Sequence, residues 1–193
     1  MKIGLTGSIA CGKSTVSSYL RKLGYFVSDA DAISHALTAP GGAALAALRE
    51  AFGSSIFSGD TLDRRALGSL VFSDPAKRSM LNAILHPMII ARIQAELEQN
   101  DAPGKLVFGD IPLLYECGMA SMFDAIWVVS TPRSIQIERL HERDGLSEEE
   151  AARRIDAQMP LAEKRRMADA VINTDGPIED TQKQIDTLLT AAI

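Results

Sequence analysis

Cysteine is scarce in this chain. Cys11 and Cys117 are the only two among 193 residues, and they show neither a metal-ligand spacing nor a pairing pattern. A disulfide scaffold and a cysteine-rich metal module are thereby excluded, and a reducing compartment is expected. Long apolar runs are missing as well: no stretch approaches the roughly 18 residues that a membrane-spanning helix needs. The opening Met1-Lys2-Ile3-Gly4-Leu5-Thr6 supplies only a strand's worth of apolar side chains, too few for a signal peptide. Nor is basic charge in excess. Lys and Arg number 20 against 25 Asp and Glu, a net charge of −5, which removes the global positive field that nucleic acid calls for. Internal repeats, low-complexity tracts and linkers are absent too. The expectation is a soluble cytoplasmic protein with no nucleic-acid, membrane or obligate protein partner. With 46% hydrophobic residues, the chain is long enough for one α/β domain with a full core and an inserted subdomain.

What is present begins with Gly7-Ser8-Ile9-Ala10-Cys11-Gly12-Lys13-Ser14-Thr15, which satisfies G-x-x-x-x-G-K-S/T and directly follows the apolar run Ile3-Gly4-Leu5. A buried strand that ends in a glycine-containing turn and feeds a helix aims several backbone N–H groups at one point. The positive end of the helix dipole points there too, so an anion belongs at that point. In this context Lys13 would reach the β- and γ-phosphates of a nucleotide, and the Ser14 hydroxyl would ligate the Mg²⁺ that bridges them. Ser8 and Ala10 occupy positions where many such loops carry glycine, and a positive φ at Ala10 would strain the backbone by about 1–2 kcal/mol. Cys11 lies near a helix N-terminus, which lowers thiol pKa. A passive small residue is the plainer reading of it.

Lys13 to Leu23 is predicted helical, with Val16, Tyr19, Leu20 and Leu23 on one face and Gly24 as its stop. Tyr25-Phe26-Val27-Ser28 follows as a strand and closes in Asp29-Ala30-Asp31, placing two carboxylates on the sheet rim where α/β folds bind ligands. One of the two is expected to cap the next helix, Ala32 to Leu37. From Pro40 to Asn100 the strand signal vanishes. Ala43 to Phe52, Arg64 to Phe72 and Pro75 to Glu98 carry helical apolar spacing, which predicts a helical insertion over the sheet rim. Arg64 and Arg65 open one of these helices, either as a phosphate clamp or as a solvated helix face. His86-Pro87 is expected to interrupt the last helix and bend the chain, leaving His86 as a polar contact or a structural histidine.

Lys105 to Asp110 reads as the third strand, an apolar run ended by an acid, as in the carboxylate that holds Mg²⁺ through water in many phosphate-loop proteins. Pro112 turns the chain off the rim, and Glu116 returns another carboxylate towards the site. Ala125 to Ser130 is apolar on both faces, as an interior parallel strand should be. Thr131 is expected to cap the helix that Pro132 begins. That helix places Arg139 and Arg143 on one face, and beyond Asp144-Gly145 a second helix opens with Ser147 and Glu150 as a capping box. With Arg153 and Arg154 this hairpin is either a lid whose arginines close over transferring phosphate or a solvated pair of helices laced with weak ion pairs. Ala170-Val171-Ile172 is the fifth strand, Asn173-Thr174-Asp175-Gly176 a turn at the nucleotide rim, and Ile178 to Ala192 a covering helix.

In this order the motifs resemble the dephospho-CoA kinase family. The likeness spans nearly the whole chain: Leu5-Thr6-Gly7 with the loop, Asp29-Ala30-Asp31, Arg64-Arg65-Ala66-Leu67, Leu85-His86-Pro87, Pro112-Leu113-Leu114-Tyr115-Glu116, Arg143-Asp144-Gly145-Leu146-Ser147, Ala157-Gln158-Met159-Pro160 and Val171-Ile172-Asn173. The resemblance implies a three-layer α/β phosphate-loop (P-loop) kinase fold with a five-stranded parallel sheet. Its core would be residues 1–39, 101–138 and 168–193, its helical substrate-binding subdomain 40–100 and its helical lid 139–167. It implies ATP and dephospho-CoA as substrates, Mg²⁺ as cofactor, and phosphorylation of the ribose 3′-hydroxyl as the last step of coenzyme A biosynthesis. Asp31 matches the family's base, and Lys13 and Arg143 the groups that meet the transferring charge. By the same resemblance Ser8, Ala10, Cys11, Gly12, Lys13, Ser14, Thr15 and Asn173 bind ATP, and Asp31, Arg65, His86 and Glu116 bind the acceptor. Ser14 holds the metal, with Asp110 acting through water. The chain departs from the family pattern at Ser8 and Ala10, usually glycine, and at Thr174-Asp175, where an Asn-Ser pair near the adenine is frequent. A nucleoside or nucleoside-monophosphate kinase would share loop, sheet and lid. A GTP-dependent switch would need a guanine-reading Asn-Lys-x-Asp, which the sequence does not contain.

Overall fold

The computed structural model describes residues 1–192. Along the chain run β1 (Lys2–Gly7), α1 (Lys13–Lys22), β2 (Phe26–Asp29), α2 (Ala30–Leu37), α3 (Leu45–Phe52), β3 (Phe57–Ser58), β4 (Thr61–Leu62), α4 (Arg64–Ser73) and α5 (Pro75–Asn100). Then follow β5 (Val107–Asp110), β6 (Ala125–Ser130), α6 (Arg133–Asp144), α7 (Glu148–Asp156), α8 (Leu161–Arg166), β7 (Ala170–Asn173) and α9 (Ile178–Ala192). Five strands form a parallel sheet in the order β2-β5-β1-β6-β7, flanked by helices. The chain divides into two compact units, one made of Met1–Ser28 and the chain from Glu96 onward, the other of Asp29–Ala95.

In the first unit, alternation along the strands sends Ile3, Leu5, Phe108, Trp127, Val129 and Ile172 into one core with Val16 and Leu20 of α1 and Ile185 and Leu189 of α9. Phe108 sits at its centre, meeting Tyr25 and Trp127 edge-on with ring centroids 5.6 and 5.5 Å away. Gly4 and Gly109 lie opposite one another in the β1–β5 register. A Cβ on Gly109 would come 2.7 Å from the Phe123 ring, and one on Gly4 would come 2.6 Å from Leu114 Cδ1, so the missing side chains make the slot these two residues fill. Gly24, with φ 89, ends α1 as expected.

The second unit packs Ala44, Leu48, Ile56, Leu62 and Leu67 into its own core. It is not helical throughout, as the sequence pattern predicts, because β3 and β4 pair as an antiparallel hairpin with Phe57 opposite Leu62. Strands of two residues are too short to show alternation. The Arg49 guanidinium fixes this hairpin by lying 4.1 Å over the Phe57 ring and donating to the Gly59 carbonyl at 2.9 Å. The interruption expected at His86-Pro87 does not end the helix either. Pro87 lies inside the 26-residue α5, which forgoes one amide hydrogen bond and continues.

Two helix starts differ from expectation. Asp29 closes β2 and caps α2, its carboxylate accepting from the N–H groups of Asp31 and Ala32, both at 3.0 Å. The helix therefore begins at Ala30, and Asp31 stands in its first turn rather than at the end of the strand. Thr131 caps nothing: Pro132 is the N-cap residue of α6, and the Thr131 hydroxyl is buried without a hydrogen-bond partner.

Candidate active site

Backbone conformation builds the loop between β1 and α1. Ala10, at φ 59, is the one non-glycine residue with positive φ among those described, so the strain anticipated there is present. Gly12, at φ 81 and ψ 18, caps α1. The side chains of Ile9 and Ala10 pack on a small core of Leu140, Ala151 and Ile155 between α6 and α7. Every carbonyl oxygen from Gly7 to Gly12 accepts a hydrogen bond. Gly7 O accepts from Lys164 Nζ at 3.1 Å, Ser8 O from the Cys11 N–H at 3.3 Å, and Ile9 O from Gln136 Nε2 at 2.7 Å. Ala10 O accepts from Arg139 Nη1 at 3.1 Å, Cys11 O from Thr174 Oγ1 at 2.7 Å, and Gly12 O from the N–H of Thr15 at 3.0 Å. With the carbonyls engaged by α6, α8, Thr174 beyond β7 and amides of Cys11 and Thr15, the N–H groups of Lys13 and Ser14 at the start of α1, with the positive end of its dipole, form an electropositive cradle suited to phosphate.

Lys13 Nζ is ion-paired with Asp110, which is 3% exposed and closes β5 beside Leu5 of β1. Ser14 is exposed in the first turn of α1. A hydroxyl and a carboxylate are the hard oxygen donors that Mg²⁺ takes, and this ion needs only one or two of them beside phosphate and water, so the residues fit it. Cys11 is not an activated thiol. Burial pushes its pKa up, against the opposing pull of the Lys13 N–H and ammonium, the Ser8 N–H and the Lys164 ammonium.

The arginines of α6 have separate partners. Arg139 props the loop with its fork, Nη2 donating to the Thr174 carbonyl at 2.6 Å while Nη1 holds Ala10 O. Arg143 grips Asp144 through Nε at 2.9 Å and Nη2 at 2.8 Å, and Arg154 reaches the same carboxylate at 3.5 Å. The Arg143 guanidinium thereby holds the Asp144 carboxyl below its ordinary pKa. The capping box of Ser147 and Glu150 is present as predicted. Glu116 Oε1 is ion-paired with Lys164 Nζ at 2.9 Å and accepts from the Met159 N–H at 3.1 Å. Asn173 closes β7 with an exposed side chain, at a cavity of about 470 Å³ that Ser130, Thr131, Gln136 and Gln158 also line. In the second unit Asp31 and Arg65 are exposed, and His86 is half-buried within α5. Arg64 differs from Arg65 by donating to the His35 carbonyl near the end of α2, at 3.2 Å.

A family model described as dephospho-CoA kinase matches residues 1–180. The chain belongs to the dephospho-CoA kinase family. The dephospho-CoA kinase of Carboxydothermus hydrogenoformans is 44% identical over 189 residues, spanning 97% of this chain and 92% of the relative. That of Geobacillus kaustophilus is 47% identical over 191 residues, spanning 98% and 95%. The solved dephospho-CoA kinase from Campylobacter jejuni is 29% identical and covers all of both chains with a TM-score of 0.75. A shikimate kinase from Acinetobacter baumannii, 17% identical with a TM-score of 0.55, shares the fold alone. Membership of the dephospho-CoA kinase family makes this chain a nucleotide-binding phosphotransferase with a P-loop kinase fold.

Several groups that shape this family member's loop go unnoticed in sequence. Lys164 is fully buried, yet it sits in the charge run Glu163-Lys164-Arg165-Arg166, which reads as solvated surface. Gln136 is an amide outside any motif. Gln158 belongs to the Gln-Met-Pro element, which is the only signal that could have drawn attention to it.

Proposed function

We propose that the chain transfers the γ-phosphoryl group of ATP to the ribose 3′-hydroxyl of dephospho-CoA, giving coenzyme A and ADP in the cytoplasm. This is the last step of coenzyme A biosynthesis. The observation that carries the reading is a phosphate loop with all its carbonyls engaged, in a chain that shares 44% of its residues with a dephospho-CoA kinase over nearly its whole length. The two small substrates are its partners, with no nucleic acid, membrane or obligate protein among them.

In this reading the backbone of Ser8, Ala10, Cys11, Gly12, Lys13, Ser14 and Thr15 cradles the ATP phosphates, and Asn173 contacts the adenine. Lys13, whose charge is balanced by Asp110 without a nucleotide, turns to the β- and γ-phosphates. Ser14 and Asp110 would hold Mg²⁺, which would supply charge neutralisation for the ATP phosphates. Arg65, His86 and Glu116 hold the acceptor. Arg143 exchanges Asp144 for the transferring phosphoryl group, where a guanidinium is worth most as charge spreads over the equatorial oxygens. Asp31 orients the 3′-hydroxyl and accepts its proton. Asp29 is unsuited to that role because its carboxylate already takes two backbone N–H groups.

Asp31→Asn tests the assignment, since the amide keeps the carboxylate's shape but cannot take the proton. ATP binding by calorimetry should stay within a few-fold while turnover of dephospho-CoA falls by about 10²–10⁴. Asp29→Asn should remain active, because asparagine caps a helix as well as aspartate. The reverse pattern would exchange the two roles, and full activity of both variants would remove the base.

A further inference from the structure

Within the run Glu163-Lys164-Arg165-Arg166 only Lys164 is enclosed, at 0% exposure. Its ammonium donates hydrogen bonds to Gly7 O at 3.1 Å and Pro112 O at 3.0 Å and is ion-paired with Glu116 Oε1 at 2.9 Å. These acceptors lie on two different segments. Gly7 ends β1 and opens the phosphate loop that bears Lys13, whereas Pro112 and Glu116 belong to the segment leaving β5 just after Asp110. Thr6 Oγ1 joins the same junction by donating to Pro112 O at 3.0 Å. The chain around Lys164 is itself anchored to both segments. Gln158 accepts from Ser8 Oγ at 3.0 Å and from the Ile9 N–H at 2.8 Å, and Met159 donates to Glu116.

A buried ion pair adds little net stability over an apolar replacement of similar volume. Stabilisation alone therefore accounts poorly for a lysine at this place. What two directed hydrogen bonds and an ion pair on one ammonium do supply is geometry. We propose that Lys164 is a positioning residue for phosphoryl transfer, holding the β1–loop junction and the end of β5 at the separation that places Lys13 and Asp110 at the nucleotide. It acts from behind the loop and touches no substrate. The inference rests on the kinase reading above for one of its two readouts.

The test compares Lys164→Met, which keeps the reach of the side chain without its donors, with the double variant Lys164→Met/Glu116→Gln, which also removes the carboxylate charge left unpaired. Both are assayed where circular dichroism shows them folded. The expected result in both variants is a kcat lower by about 10- to 100-fold, the loss typical of a misplaced catalytic constellation, with KM for dephospho-CoA nearly unchanged in Lys164→Met; in the double variant only kcat and ATP binding are read, because Glu116 itself is assigned to the acceptor. ATP binding by calorimetry should weaken several-fold. A shift in melting temperature with normal kcat in either variant, or in Lys164→Met a change confined to KM, would overturn the proposal. If the single variant does not fold, the double variant decides; if neither folds, Lys164 serves the fold itself and the proposal also fails. Should the unmutated chain not phosphorylate dephospho-CoA, the kinase reading is at fault and calorimetry alone judges Lys164. Weakened ATP binding then upholds the positioning role, and unchanged binding overturns it.

Discussion

The Gln158 side-chain oxygen accepts from the Ser8 hydroxyl at 3.0 Å, and the same oxygen takes the Ile9 N–H at 2.8 Å. Ser8 stands where the dephospho-CoA kinase pattern usually has glycine, and its hydroxyl has an acceptor on the segment between α7 and α8. The departure is therefore absorbed by a residue about 150 positions away in sequence.

Gln158→Leu should leave both donors unpaired in a partly buried place, at a cost of about 1–3 kcal/mol. The melting temperature should fall, and ATP should bind more weakly because Ile9 is no longer fixed. Unchanged calorimetric affinity together with an unchanged melt would contradict this role.

Ala10 separates two substitutions that look alike in sequence. Glycine there relieves left-handed strain of about 1–2 kcal/mol but loosens the unfolded chain by about 0.5–1 kcal/mol and gives up a packed methyl, so Ala10→Gly should be close to neutral. Ala10→Val should destabilise by a further 1–3 kcal/mol or so, since a β-branched residue at φ 59 is a genuine outlier. Urea midpoints measure both, and a valine variant as stable as the parent would refute the geometry.

Thr131 offers a stabilising change. Its hydroxyl is buried without a partner, while valine fills the same volume with no polar group to desolvate. Thr131→Val should raise stability by about 1 kcal/mol. A lower urea midpoint would mean that the hydroxyl has a partner after all.

The α6–α7 hairpin should weaken in acid. Asp144 and Asp156 have lowered pKa values, chiefly through hydrogen bonds from Arg143 and Arg133, and Glu150 through its bonds from Ser147. A carboxyl whose folded pKa is depressed contributes stability above its unfolded value, near 4, and loses it as pH falls through the folded one. These groups are exposed, so each effect is small. At pH 7 the parent should melt above Asp156→Asn, and the gap should narrow as pH falls below the unfolded carboxylate value and through the lowered folded one. A gap that persists in acid would assign the difference to something other than the ion pair.

Much of this architecture could be read from the sequence because it is local. The apolar runs of β1 and β6, the Gly24 stop of α1, the Ser147–Glu150 capping box and the phosphate loop each depend on a few adjacent residues. What escaped depends on partners distant in sequence or on competition between neighbours. Arg139 and Arg143 share a helix face, yet one bonds Ala10 and Thr174 while the other bonds Asp144. Which of Asp29 and Asp31 caps the next helix is open in the sequence, and the Asp29 carboxylate, by taking the N–H groups of Asp31 and Ala32, places Asp31 in the first turn of α2. Lys164 has no local signature, because its acceptors lie at Gly7, Pro112 and Glu116.

The most direct measurement offers the protein ATP and Mg²⁺ with dephospho-CoA, adenosine, AMP, CMP and pantetheine phosphate in turn, following ADP release and locating the new phosphomonoester by phosphorus NMR. Substrate-dependent ADP release with dephospho-CoA alone, and a phosphate on the ribose 3′-oxygen, is the predicted result. Transfer to AMP or CMP instead, or ATP turnover indifferent to every acceptor, would contradict it.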